Sequence, residues 1–127
     1  MFEHDARIRL RTTEDWMSEK EKVAEVRRLN DLLRCNGEGG RRVITSGIEG
    51  LEPQTVRKIL AAVASFDAFN GENDPYGEHD CATLEVEGTR VLWKIDYYDK
   101  TLSFGSEDPS DPEATTRVLT VMLIEEY

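Results

Sequence analysis

The segment from residue 81 to residue 104 constrains the fold most, because its residues alternate between apolar and polar in the manner of paired strands. Cys81–Val86 and Thr89–Asp96 both alternate, and the Glu87-Gly88 pair between them has the length of a hairpin turn. A third short strand is predicted at Thr101–Phe104, after a turn. The segment therefore predicts a small antiparallel β-meander with helices packed on one face.

Three helices are predicted around this meander. The first begins at Ser18, because Ser18-Glu19-Lys20-Glu21 has the form of a capping box, and it ends at Asn36-Gly37. The second begins at Pro53 and has apolar residues at helical spacing. The third covers about residues 112–126, where an Asp-Pro-Glu start signal precedes it and its β-branched residues leave a strand as the alternative. Four basic residues are predicted on the solvent side of the first helix: Lys22, Arg27, Arg28 and Arg34.

The chain as a whole is predicted to be α+β. The β-branched run Arg42–Ser46 predicts one more short strand, which extends the sheet. Residues 18–127 are expected to form a single globular domain, in keeping with a chain of 127 residues. Residues 1–17 are interpreted as an N-terminal arm or an edge strand.

Charge is distributed very unevenly along the chain. Residues 1–66 contain 12 Lys and Arg against 11 Asp and Glu, whereas residues 67–127 contain 4 against 15, a balance of −11. A surface of this sign does not bind nucleic acid by neutralising phosphates, but it does attract a basic protein surface. No apolar run approaches the length of a membrane span, and the N-terminus has no secretory signal. The sequence thus predicts a cytoplasmic protein that contacts neither membrane nor nucleic acid directly.

The loop before the first strand of the meander contains the densest group of reactive side chains. The segment Asn73–Asp80 includes four residues that form the candidate metal set: Asp74, Glu78, His79 and Asp80. The candidate catalytic set is His79, Asp80 and Asp74. Neither zinc nor calcium spacing is complete, so no cofactor is predicted. Neighbours on an extended segment point to opposite faces, which argues against His79-Asp80 as an acid–base pair.

A purely structural interpretation of the same loop also follows from the sequence. In that interpretation Asn73 and Asp74 accept hydrogen bonds from loop amides, as such residues do in turns. His79 is then expected to pack, half-buried, against Tyr76 or Trp93.

Aromatic and acidic residues near the end of the meander form a candidate binding strip. Exposed aromatic side chains are common anchors of protein interfaces. The predicted partner-binding residues are Trp93, Asp96, Tyr97, Tyr98, Asp99, Glu107 and Asp108. The alternative is that Trp93 and one tyrosine belong to the core while the acids form a solvated rim. The pairs Arg27-Arg28 and Arg41-Arg42 are expected to neutralise the acidic surface, within the chain or across a homodimer.

Four segments resemble a family of small bacterial proteins that is classed as a domain of unknown function and is often carried on plasmids and prophages. They are Phe66–Phe69, Asn73–Asp80, Trp93–Asp99 and Thr115–Thr120, and the resemblance covers about residues 27–127. It implies no activity. The mobile-element setting of this family implies that the protein is a small inhibitor, such as an anti-CRISPR or anti-restriction factor.

Two functional hypotheses follow. The first is a non-enzymatic acidic module that inhibits a host nucleic-acid-handling or defence complex by binding its basic surface. The alternative is a small metal-assisted hydrolase or nuclease that uses the loop at residues 74–80.

Overall fold

A four-stranded sheet with mixed strand directions forms the centre of the computed structural model, which describes residues 17–127. The strands are β1 (Gly40–Ile44), β2 (Cys81–Val86), β3 (Thr89–Tyr98) and β4 (Thr116–Leu123), in the order β1-β4-β3-β2. The helices are α1 (Glu19–Asn36), the short α2 (Ser46–Glu49) and α3 (Pro53–Ala64), and a 3₁₀ turn at Ile124–Glu126 follows β4. The predicted α+β class is confirmed. The predicted arm, apart from Met17, lies outside the described residues.

Local signals set the ends of the helices as predicted. The Ser18 hydroxyl accepts a hydrogen bond from the Glu21 amide at 3.1 Å, and the Glu21 carboxylate accepts one from the Ser18 amide at 2.8 Å. Gly37 ends α1 in the left-handed conformation, with φ 75°, and donates to the carbonyl of Leu33. Pro53 begins α3, where its missing N–H costs nothing.

The β2–β3 hairpin is also confirmed. Cys81 pairs with Lys94 and Val86 with Thr89, so the register leaves two residues in the turn. Both of them, Glu87 and Gly88, have positive φ, at 51° and 82°. This is the turn geometry that matches the natural twist of a hairpin.

The predicted last helix, residues 112–126, is wrong, because this segment forms β4. The Asp111 carboxylate does accept a hydrogen bond from the Glu113 amide at 2.9 Å, but it closes an isolated turn and no helix follows. Arg117, Leu119 and Val121 alternate with less buried residues, and the strand pairs with β3 on one side and with β1 on the other. Pairing on both sides stabilises a β-branched segment as a strand.

The predicted antiparallel meander is therefore only partly correct. β2, β3 and β4 are antiparallel neighbours, but β1 pairs with β4 in parallel, from Gly40 with Arg117 to Ile44 with Val121. The strand predicted at Arg42–Ser46 is present, but it begins and ends two residues earlier and pairs with β4. The third strand predicted at Thr101–Phe104 is absent; a turn stands there and contacts β3 through one bridge between Tyr98 and Gly105.

The core lies between one face of the sheet and the helices. Its buried side chains from the sheet are Ala82, Val91, Trp93, Ile95, Leu119 and Val121, and those from the helices are Leu33, Ile48, Ile59 and Val63. The cross-strand pair of Trp93 and Val121 lies near its centre. Because α1 and α3 both pack on this face, the loop that follows α3 is brought beside α1.

Candidate functional site

The long loop before β2 is folded by its own polar side chains. The carboxamide oxygen of Asn70 accepts hydrogen bonds from the amides of Glu72 and Asn73, at 2.8 and 3.0 Å. The Asn73 side chain accepts from the Asn70 amide at 2.8 Å, and the Asp74 carboxylate accepts from the His79 amide at 3.0 Å. Asn73 and Asp74 therefore build the loop, as the structural interpretation of the sequence expects.

His79 is held between two aspartates and an aromatic ring. Its Nδ1 lies 2.9 Å from Oδ1 of Asp31 on α1, and its Nε2 lies 3.6 Å from Oδ2 of Asp74. The imidazole stacks on Phe69 with 3.7 Å between ring centroids and 5° between planes. The backbone of His79 is left-handed, with φ 55°, a conformation that costs a non-glycine residue energy. Both ring nitrogens therefore face carboxylate oxygens.

The expected neighbours of His79 are different from those observed. Tyr76 is 80% exposed, and Trp93 is covered by the core, so the imidazole packs on Phe69 instead. Asp80 is not its ionic partner, in agreement with the argument from strand geometry. Asp31, which is 48 residues away along the chain, takes that role.

Arg34 links this cluster to the end of α3. Its side chain is only 3% exposed, which corrects the prediction that it lies on the solvent side of α1. The guanidinium donates to the carbonyls of Val63 at 3.0 Å and Phe66 at 2.8 Å, and to Oδ1 of Asp31 at 3.1 Å. It thereby supplies donors to carbonyls at the C-terminal end of α3, where the regular helical hydrogen bonds end. Val26, Leu33 and Arg34 occupy one helical stripe, and this spacing is the signal by which the burial could have been foreseen.

A second buried network joins α1, β3 and β4. The Tyr97 hydroxyl donates to Oε1 of Glu78 and accepts from Nδ2 of Asn30, each at 2.8 Å. Nε of Arg117 donates to Oδ1 of Asn30 at 2.9 Å, and the guanidinium lies over the Tyr97 ring. Burial, reinforced by the charge of Glu78, raises the pKa of Tyr97 far above its ordinary value, while burial lowers the pKa of Arg117. Tyr97 is thus a neutral structural donor.

The four candidate metal ligands do not converge. Asp74 faces His79, whereas Glu78 faces Tyr97 on the other side of the loop. Burial, and then the charge of Glu78, raises the pKa of Asp80. Within residues 17–127, no group of three or more His, Cys, Asp or Glu residues is arranged to hold a metal ion.

Carboxylates line a surface groove between the first half of α1, the loop before β2 and the segment at residues 107–110. We call this the acidic groove; it has a volume of about 290 Å³, and its charged lining residues are Glu19, Lys22, Glu78, Glu107 and Asp108. Four of these five side chains are acidic. The groove therefore has an excess of negative charge.

A second pocket adjoins the acidic groove. We call it the Phe104 pocket; it measures about 320 Å³ and is lined by Asp99, Phe104, Gly105, Glu107 and Ala114. The Phe104 side chain is 75% exposed at the tip of its turn. Asp99 holds that turn by accepting from the Thr101 hydroxyl at 2.7 Å and from the Ser103 amide at 3.1 Å, and these bonds, the Thr101 bond first, lower its pKa. Glu107 lines both cavities, so they are neighbours on the surface.

The predicted binding strip is only partly on this surface. Trp93 is fully buried in the core, which corrects its assignment as an exposed anchor. Tyr97 is half-buried and used by the Asn30 network. Asp96 forms an ion pair with Lys94 on its own strand.

The remaining predicted residues lie closer to the surface. Asp99, Glu107 and Asp108 line the two cavities, and Tyr98 is half-buried at the end of β3. Phe104 is an exposed aromatic residue that was not predicted to be a binding residue, because the sequence predicted a strand at Thr101–Phe104. The exposure could have been predicted from an apolar residue within the polar Thr101–Ser106 segment, close to acidic residues.

The family comparison agrees with the sequence resemblance. Residues 44–126 match the family described as "Protein of unknown function (DUF3768)", and this match covers more than half of the chain. The chain belongs to this family. No curated protein and no solved structure was found to match it significantly. The DUF3768 match includes the loop and β2 to β4, but it leaves out α1, which supplies Asn30, Asp31 and Arg34 to the two networks.

No helix within residues 17–127 combines sufficient length with sufficient hydropathy to span a bilayer.

Proposed function

We propose that this DUF3768 protein is a non-enzymatic, acidic interaction module that binds a basic surface of another protein. The observation that carries the proposal is that Glu107 joins the acidic groove to the Phe104 pocket. Acidic side chains beside an exposed aromatic ring combine electrostatic attraction with an apolar anchor, and the centres of protein interfaces commonly have this composition.

The charge of the chain indicates the class of partner. Residues 67–127 have a balance of −11, and they contribute every carboxylate of the combined surface except Glu19. Such a surface competes with phosphates for clusters of Arg and Lys. We therefore propose a cytoplasmic partner whose basic surface normally holds nucleic acid. An inhibitor from a mobile element, of the anti-CRISPR or anti-restriction type, would act in this way.

The rival proposal, a metal-assisted hydrolase or nuclease, has weaker support. Its residues Asp74, Glu78 and His79 already make hydrogen bonds or close charge contacts that hold the loop to α1 and β3. Recruiting them for catalysis would break those contacts.

A peptide-binding assay tests the proposed surface. The probe is a fluorescein-labelled nona-arginine peptide, and fluorescence anisotropy measures its Kd at low and at high salt. Glu107→Gln and Phe104→Ser are each expected to weaken binding by roughly threefold to tenfold, because each removes one contact of about 1 kcal/mol. High salt should weaken binding of the wild type as well.

The control variant makes the same change of charge at a position outside the proposed binding surface. Glu49→Gln on α2 alters an exposed glutamate outside both cavities and should leave the Kd unchanged. Equal loss in Glu49→Gln and Glu107→Gln would mean that only net charge matters, and the defined surface would be rejected.

A second experiment addresses the class of partner. The immobilised protein is incubated with bacterial lysate, and bound proteins are eluted with duplex DNA. Release of a DNA-binding protein by DNA, but not by a matched amount of an uncharged polymer, is expected. Cleavage of plasmid DNA by the purified protein, abolished by His79→Ala in a folded variant, would instead favour the nuclease.

A further inference from the structure

Strand β1 forms a surface of a different kind. This strand is at the end of the sheet, and within residues 17–127 it pairs only with β4. All five of its residues are exposed, including Val43 at 43% and Ile44 at 37%. An exposed edge with apolar side chains is a template for the addition of another strand.

The backbone groups available for such pairing can be identified. The amide of Thr45 donates to the carbonyl of Val121 on β4 at 3.1 Å. Because the N–H and C=O groups of successive residues in a strand point to opposite sides, those of Val43 also face β4. The N–H and C=O groups of Arg42 and Ile44 consequently point away from the sheet.

An apolar cavity lies beside this edge. We call it the edge groove; it has a volume of about 360 Å³, and its lining includes Arg42, Ile44, Leu60, Val63, Leu119 and Val121. Leu60 on α3 remains exposed, while Val63 and Val121 form the inner wall. A strand placed next to β1 would direct an apolar side chain into this groove beside Ile44.

The charges on β1 define the other half of the required partner. Arg41 and Arg42 are exposed, and within residues 17–127 neither has a carboxylate within 4.0 Å. The Arg42 guanidinium lies against the Cα of Gly37, at the end of α1, where a β-carbon would approach it to 2.6 Å. Acidic residues opposite these two arginines would neutralise them, since opposite charges across a strand pair are stabilising.

We propose that β1 docks an extended segment of a partner protein in which two apolar residues are followed by two acidic residues. The segment adds to the sheet as an antiparallel fifth strand, so that the apolar pair lies opposite Ile44 and Val43 and the acidic pair opposite Arg42 and Arg41. Main-chain bonds at Arg42 and Ile44 supply affinity, and the charges supply specificity. Pairing of β1 with β1 of a second copy fits poorly, because it brings four arginines together with no acid in either strand.

The test uses the full chain and two matched hexapeptides. The probe is Thr-Val-Ile-Glu-Glu-Thr, and its control, Thr-Val-Ile-Lys-Lys-Thr, has lysines in place of the glutamates. NMR titration measures both affinities, and amide hydrogen exchange is followed residue by residue. The acidic peptide should bind at least about tenfold more tightly than the basic one. It should also slow exchange at Arg42 and Ile44, while exchange at Val43, already bonded to β4, should change little.

Substitutions distinguish binding at β1 from nonspecific electrostatic attraction between the peptide and the protein. The double variant Arg41→Gln/Arg42→Gln should weaken binding of the acidic peptide at least about fivefold, whereas Arg57→Gln, an exposed arginine on α3, should not. Equal binding of both peptides, or no binding of the acidic one at millimolar concentration, would overturn the proposal. So would a concentration-dependent dimer that protects Arg42 and Ile44 without any peptide. The acidic groove is tested with a peptide of opposite charge, so the two proposals fail independently.

Discussion

At the residue scale, Arg34 is the side chain on which the cluster around His79 depends most. It caps the end of α3, binds Asp31, and through Asp31 reaches His79. Its guanidinium also lies 5.1 Å from the Trp93 ring. One buried cation thus fixes the positions of a helix end, a loop and a core aromatic residue.

We predict that Arg34→Lys lowers the free energy of unfolding by about 2–4 kcal/mol, because a lysine cannot reproduce the fork of bonds to two carbonyls and a carboxylate. Urea denaturation measures the change. Arg28→Lys is the matched control: Arg28 is exposed, its partner Glu25 is on the same helix, and a loss of less than about 0.5 kcal/mol is expected. Equal losses in both variants would contradict the role of Arg34.

Asp80 provides a prediction about pH. Burial raises its pKa above the ordinary 3.8, so ionisation is harder in the folded protein than in the unfolded chain. The charged form therefore lowers stability, and this penalty is absent below pH 3.8 and develops as pH rises through the raised pKa. Asp80→Asn should have a higher Tm than the wild type at neutral pH, and the difference should vanish in acid.

Thermal unfolding at several pH values measures this difference. Asp67→Asn, the same change at an exposed position of the loop, is the control and should not stabilise the protein at neutral pH. A Tm difference for Asp80→Asn that is independent of pH would show that the effect has another origin.

At the scale of secondary structure, elements with complete local signals were predictable. The capping box of α1, the proline of α3 and the β2–β3 turn each satisfy their own backbone groups within a few residues. β4 was not predictable in the same way. Its start signal, Asp111-Pro112-Glu113, forms a real turn, and the strand beyond it is stabilised by β1 and β3, which are remote in sequence.

The same difference between local and long-range contacts explains which parts of the candidate site could be predicted. The loop residues Asn73 and Asp74 act locally, and turn chemistry identified them. The contact of His79 with Asp31 spans 48 residues, and that of Arg117 with Asn30 spans 87. No spacing pattern in one sequence indicates such pairs, because they depend on how α1 packs against the sheet.

The start of β1 is another element whose geometry can be tested. A β-carbon on Gly40 would lie 2.6 Å from the carbonyl oxygen of Arg117 and 2.9 Å from a methyl carbon of Leu33. Gly40→Ala should therefore push β1 away from β4 and α1 and cost about 1–3 kcal/mol in unfolding free energy. Gly71→Ala, where no atom lies within 4 Å, is the control for adding a methyl group. If Gly40→Ala were as stable as the wild type, β1 could move away from its neighbours without a cost in free energy, and the predicted clash would be wrong.

At the scale of the whole molecule, charge is the dominant property. The net charge is −10, and within residues 17–127 only a few ion pairs, such as Lys58 with Glu87, neutralise charge locally. Repulsion among the acids opposes the compact state. We predict that moderate NaCl raises the Tm by a few degrees, because it screens this repulsion. Calorimetry at increasing NaCl measures the effect, and a falling Tm would mean that the ion pairs outweigh the repulsion.

The parallel pairing of β1 with β4 also has a consequence for synthesis on the ribosome. Residues 40–44 are made long before their partners at residues 117–121 leave the exit tunnel. Until then, α1 and α3 have no complete sheet to cover, and their apolar faces stay open to other proteins. Pairing between distant segments is slow to form, and such exposed intermediates attract chaperones and aggregate. A nascent chain of this protein is therefore expected to complete its sheet only after residues 117–121 have emerged from the tunnel.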